Sequence, residues 1–164
     1  MREFFRFPHP VNESAARVVG GMSALLTVAI LVTKQPWLLA LLTYEFLARV
    51  IAGPRISIFA RLANHLVVPA LRLPNRPTPG PPKRFAQCIG LLFAAGACIA
   101  WFAIARWDVA RGLLVVLAFF ALLESVFGFC AGCFLFNQLM RMGLIPRETC
   151  EQCLNWRPRV GDGG

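Results

Sequence analysis

Residues Gly112 to Phe136 read GLLVVLAFFALLESVFGFCAGCFLF, 25 positions with a single charge, Glu124. A helix needs about 20 consecutive apolar residues to cross the hydrocarbon core of a bilayer, and this run supplies them. Working outward, three more runs have that character. A charge-free run lies between Arg17 and Lys34, and with Asn12 as N-cap and Glu13 in the first turn it predicts a helix over about 13–33. A second begins at Pro36-Trp37 and continues to residue 52, interrupted by Glu45 and Arg49, and a third runs without charge over 85–105. No series of alternating segments of about ten residues, the mark of a membrane β-barrel, competes with these four. The expectation is an all-α polytopic membrane protein with four transmembrane helices, over about 13–33, 36–52, 85–105 and 112–136, in a single domain spanning 1–142.

The composition agrees. Of 164 residues, 57% are hydrophobic and 15% charged, against about 25% charged in a soluble domain. A water-soluble chain of this size could not bury so much apolar surface, and a disordered basic tail would lack it. The net charge of +9 is explained by topology. With four spans, thirteen of the seventeen Lys and Arg fall on one side, among them Arg17, Arg55, Arg61, Lys83, Arg84 and Arg141. Lys34, Arg106 and Arg111 fall on the other, and Arg49 lies within a span. The positive-inside rule places both termini and the middle loop in the cytoplasm, with Trp37 and Trp107 at the outer interface, so no nucleic-acid partner is needed. A cleaved signal peptide over the first run is the weaker reading, because the run meets Lys34-Gln35-Pro36 and not a small-residue cleavage site.

Within the middle loop, residues 55–72 place Ile56, Phe59, Leu62, Ala63, Leu66 and Val67 on one helical face and Ser57, Arg61, His65 and Arg72 on the other. This is the pattern of an interfacial amphipathic helix, kinked or shortened by Pro69. Residues 74–82, PNRPTPGPP, hold five prolines and predict an extended connector. Gly20, Gly21 and Ala24 in the first span and Ala86, Gly90 and Ala94 in the third suit close helix packing.

The chemistry points to cysteine. Cys130 and Cys133, and Cys150 and Cys153, form two CxxC pairs, the second in a tail over 143–164. If the fourth span is one helix to residue 136, Cys130 and Cys133 share a face where it emerges on the cytoplasmic side, continued by Asn137 and Arg141, and Arg141 could favour a thiolate. Two functional readings follow. The pairs could exchange electrons or sulfur, one thiolate attacking and its neighbour resolving. Alternatively all four thiolates bind one zinc ion, since C-x2-C-x16-C-x2-C lies within the range of zinc sites and the cytoplasm disfavours structural disulfides. Plain packing in an apolar helix is the bland reading for Cys130 and Cys133, and it is the default for Cys88 and Cys98, which share no face. Glu45 and Arg49, four apart, can pair within the bundle, while Glu124 needs a partner from another helix, for which Arg49 is the candidate. The same three residues are the only obvious polar path for a third reading, a transporter of small sulfur species. His9 and His65 are singletons at interfaces, and neither reads as a metal ligand. The chain has no nucleotide loop and no recognisable catalytic triad.

Phe7-Pro8, PVNE at Pro10 to Glu13 with Ala16-Arg17, GPRIS at Gly53 to Ser57, PPKRFAQ at Pro81 to Gln87 with Ile89-Gly90, and GFCAGC at Gly128 to Cys133 together resemble an uncharacterised bacterial family of four-helix inner-membrane proteins, known only as a domain of unknown function. The resemblance covers about residues 7–136. It implies that Cys130 and Cys133 are the family's cysteine pair and that the partner is a thioredoxin-like or rhodanese-type sulfurtransferase protein. It does not reach Cys150 and Cys153.

The charge distribution is directly testable. A compartment-sensitive reporter placed after residue 78 or after residue 164 should report the cytoplasm, and one placed after residue 35 or residue 109 the opposite side. A cytoplasmic signal from residue 35 would refute this topology.

Overall fold

The first helix begins as the N-cap signal requires. The Asn12 side chain accepts a hydrogen bond from the Ser14 N–H at 3.0 Å, and the computed structural model, which describes residues 11–78 and 80–144, carries α1 over Glu13–Thr33. Lys34 ends it in the left-handed conformation, φ 51°, with its N–H on the Ile30 carbonyl. Helix α2, Pro36–Ala52, starts on proline, whose missing N–H is no loss in a first turn. Ser57 then caps α3, Ile58–Ala70. That helix tolerates Pro69 by widening one turn over Ala63–Val67, where the Val68 N–H reaches back five residues to the Ala63 carbonyl.

The extended connector is shorter than its prolines suggest. Helix α4 spans Gly80–Ala103, so Pro81 and Pro82 lie in its first turn, again where proline is tolerated, and the expectation of an extended chain to residue 82 is corrected. What remains is pinned to the start of α1. Val11–Asn12 pairs antiparallel with Pro77–Thr78, the Ser14 hydroxyl donates to the Pro74 carbonyl at 2.6 Å, and the Glu13 N–H donates to the Arg76 carbonyl at 2.8 Å.

The stretch 112–136 also departs from expectation. Helix α5 runs from Trp107 to Phe127 and stops at Gly128, which takes φ 68°. A separate helix, α6, covers Ala131–Arg141. The start at Trp107 brings Asp108 into the first turn, facing the N-terminal helix dipole. The break at Gly128 lies outside what hydropathy registers, since the chain stays apolar through it.

Helices α1, α2, α4 and α5 close into a ring, α1 on α5, α5 on α4, α4 on α2 and α2 on α1, with α6 laid against α4. The main core joins Ile30, Leu39, Leu42, Phe46, Ala94 and Leu114. A smaller one packs Ala60 and Ala63 of α3 against Ala15 and Val19 of α1. Three helices, α1, α4 and α5, are long and apolar enough to cross a membrane, and Leu25, Val32, Leu92, Phe102, Phe119 and Val126 project outward from them. Bilayer lipid is the solvent that such a surface calls for. The charges sort by end. Arg17, Lys83 and Arg84 bond around the end that holds α6, while Lys34 lies 5.9 Å over the Trp107 ring at the other, where Trp101 and Trp107 also meet.

Small residues set the helix spacing. Gly20 faces the Ala121 carbonyl, Gly21 faces the Ser125 hydroxyl, and Gly90 lies under the Phe46 ring. The tightest backbone approach is between α6 and α4, where a Cβ on Gly132 would stand 2.5 Å from the Ala86 Cβ and 2.6 Å from its Cα. Gly132→Ala should therefore lower stability by about 1–3 kcal/mol through overpacking, seen as a lower thermal midpoint in detergent. Adding Ala86→Gly, which removes the nearer of the two contacts, should recover part of the loss. An unchanged midpoint for Gly132→Ala would show that α6 does not rest on α4.

Candidate functional site

The break at Gly128 builds the site. The Gly128 N–H bonds the Glu124 carbonyl at 3.1 Å and the Phe129 N–H the Leu123 carbonyl at 3.3 Å, a glycine-dependent closure of the helix end. Arg17 of α1 satisfies the next carbonyls, its Nε donating to Ser125 O at 3.3 Å and its Nη2 to Val126 O at 2.7 Å. Two residues later Cys130 occupies the N-cap of α6 in an extended conformation, and its sulfur accepts the Cys133 N–H at 3.3 Å. Cys130 and Cys133 thus do not sit at successive turns of an emerging span. They are the cap and third residue of a new helix, with the sulfur at its positive end.

Lys83, in the first turn of α4, reaches across to the same place. Its Nζ lies 2.8 Å from Glu124 Oε1, and the lysine is 7% exposed. Glu124 is therefore partnered by Lys83, and the expected pairing with Arg49 is corrected. Both Glu124 and Lys83 act electrostatically on the cysteines. The Cys130 thiol is held below its ordinary value, chiefly because the Cys133 thiol donates a hydrogen bond to it. Burial and the Glu124 charge oppose the shift, while Lys83 and the Cys133 backbone N–H favour it. Cys133 is pushed up, by that same hydrogen bond and by burial. The two thiols are thereby biased in opposite directions, Cys130 toward the thiolate and Cys133 toward the thiol.

Arg141, expected to favour the thiolate, is exposed, as is Asn137, and the cation acting on Cys130 is Lys83. Lys83 was visible in PPKRFAQ, but counted there only as a loop charge. Glu45 and Arg49 do not pair through the carboxylate. Arg49 Nε donates to the Glu45 backbone carbonyl at 3.0 Å and Nη2 to the Ser23 hydroxyl at 3.2 Å, while its guanidinium stacks 4.3 Å over Phe46. The fully buried Glu45 carboxylate instead accepts from the Ser57 hydroxyl at 2.6 Å and from the N–H groups of Ile58 and Phe59 at 3.0 and 3.2 Å. It anchors the start of α3, which gives Ser57 of the GPRIS motif its place. Cys98 contacts the Thr43 hydroxyl at 3.2 Å inside the bundle. Cys150 and Cys153 lie outside the described residues, as does His9. Among the described residues no three His, Cys, Asp or Glu side chains come together as metal ligands would.

These features define a helical membrane protein with a dithiol turn at one end of its bundle, beside a largely buried Lys–Glu pair. The chain belongs to the family described as Domain of unknown function (DUF4395), whose model matches residues 11–141. No curated protein and no solved structure matches it.

The two charges beside Cys130 act in opposite directions, which makes their roles separable. Lys83→Met should move the pH midpoint of Cys130 alkylation upward and slow the reaction several-fold at neutral pH. Lys83→Arg should retain most of the wild-type rate. Glu124→Gln should move the midpoint downward. Equal midpoints in all four proteins, measured by iodoacetamide labelling of Cys130 with the other cysteines replaced by serine, would remove Lys83 and Glu124 from the site.

Proposed function

We propose that this is a thiol–disulfide exchange protein of the bacterial inner membrane, with four spans, both termini in the cytoplasm and a thioredoxin-like partner on that side. The observation that carries the reading is Cys130 at the N-cap of α6, its sulfur accepting the Cys133 N–H at 3.3 Å beside Lys83. A cysteine so placed is favoured as a thiolate at neutral pH. The seventeen residues of α2 reach the lower limit for a span, and its packing within the ring of α1, α4 and α5 supports counting it as the fourth.

The reaction needs no group beyond the two proteins. The Cys130 thiolate attacks one sulfur of the partner's disulfide, forming a mixed disulfide and releasing the partner's other sulfur as a thiolate. Cys133 then gives up its proton, which the thiolate released in the first step takes up, and attacks the Cys130 sulfur, closing the Cys130–Cys133 disulfide and expelling the partner's remaining thiolate. Two electrons have passed to the partner, and the reverse sequence oxidises it. Lys83 stabilises the attacking thiolate, and Cys133, biased toward the thiol, acts only once the mixed disulfide has formed beside it.

Cys133→Ser should therefore accumulate a mixed disulfide with an oxidised thioredoxin, visible as a reducible adduct on a non-reducing gel, whereas Cys130→Ser should give none. Equal adduct from both variants, or none from Cys133→Ser although Cys130 still alkylates, would defeat the exchange reading. Metal analysis of the same preparation reports on the zinc alternative.

A further inference from the structure

A second cavity, of about 880 Å³, opens between α1, α3, the strand pair and the start of α4. Its wall carries Arg49, Arg55, Arg61, His65 and Lys83, and among the described residues no Asp or Glu lines it. Nearby carboxylates are engaged elsewhere. Glu124 holds Lys83 at 2.8 Å, and Glu45 is committed to the start of α3 through Ser57, Ile58 and Phe59. Arg61 and His65, one turn apart on α3, are both exposed and make no ion pair among the described residues. Concave walls that concentrate one sign of charge focus the field on whatever enters.

The depth of the cavity is polar as well. Arg49 and Gln87 line both this cavity and a smaller one of about 200 Å³ inside the bundle, and Gln87 Oε1 is a buried acceptor with no hydrogen-bond partner. Such a group calls for a donor that the protein itself does not supply. On α3 itself, Ile58, Leu62 and Leu66 project outward, four residues apart and so on one stripe. The helix that carries Arg61 and His65 over the cavity thus turns an apolar edge outward, as a helix at the water–lipid boundary does.

We propose that this cavity binds a phosphate-type oxyanion, with Arg61 and His65 receiving it at the mouth and Arg49 with Gln87 at its base. The group is carried by an anionic lipid headgroup or is free in solution. Guanidinium and imidazole donors suit phosphate oxygens. A hydroxyl, on the phosphate or on the headgroup beside it, would supply the missing donor to Gln87. The volume accommodates a whole headgroup. Neither Cys130 nor Cys133 lines the cavity, and Lys83 is the residue it shares with the thiol site.

The test uses the full chain in detergent at constant ionic strength, with inorganic phosphate, short-chain phosphatidylglycerol and short-chain phosphatidylcholine as probes, read by calorimetric titration. Phosphatidylglycerol or phosphate should bind, and phosphatidylcholine should bind far more weakly. Arg61→Gln with His65→Gln should weaken the binding roughly tenfold or more, while Arg106→Gln, at the other end of the bundle, should leave it unchanged. Because Arg61 and His65 are exposed, the double variant should keep its fold, which an unchanged thermal midpoint without ligand would confirm. Phosphate binding as tightly as phosphatidylglycerol identifies a free oxyanion, and binding of phosphatidylglycerol alone identifies a headgroup. Equal binding of all three probes, binding of none, or full retention in the double variant would overturn the proposal.

Discussion

The contact between Lys83 and Glu124 joins the first turn of one membrane helix to the last turn of another, at 2.8 Å and largely away from water. Neither charge is tolerable alone in such a place. Removing one partner of a buried pair leaves an uncompensated charge, at a cost of about 3–5 kcal/mol. The pair therefore fixes the lengthwise register of α4 against α5. It also brings a cation and an anion to the point where α5 stops and the cysteine turn begins. Arg17, Gly128 and Gly132 complete the arrangement from three directions, one capping the ended helix, one turning the chain and one letting α6 lie on α4.

Two uses of buried charge coexist within the bundle. Lys83 and Glu124 neutralise each other and together bias the thiols. Glu45 and Arg49 do not meet through their charged ends. Glu45 spends its charge on the N–H groups that begin α3, and Arg49 lies between a serine hydroxyl, a carbonyl and an aromatic face. The result is an amphipathic helix bolted to the bundle by a carboxylate and a small apolar cluster, with the strand pair tying the following connector back to α1. A polar route across the membrane through Glu45, Arg49 and Glu124 gains no support from these engagements.

Much of this architecture was readable in the residues. Asn12 and Glu13 mark the start of α1, Pro36 that of α2, and the sided charges give the bundle two chemically distinct ends. The site was less readable, for two physical reasons. Hydropathy does not register a positive φ, so the apolar run through Gly128 looked like one helix, and the cap geometry of Cys130 was hidden within it. Prolines in a first helical turn look the same in a sequence as prolines in an extended connector. Pro81 and Pro82 thus concealed the helix that carries Lys83. PVNE, GPRIS, PPKRFAQ and GFCAGC become intelligible once seated, because each supplies a cap, an anchor, a charge or a turn at one end of the bundle.

Arg17 bonds carbonyls 108 and 109 residues further along the chain. In a protein inserted as it is made, α1 emerges before α5, and the Arg17 guanidinium has no such partner until α5 has been threaded and terminated. The cysteine turn is thus closed by a residue of α1 acting on a helix made well after it. Completion of the dithiol turn becomes a check on assembly, because the turn gains its Arg17 cap only in a chain whose α1 and α5 have found each other.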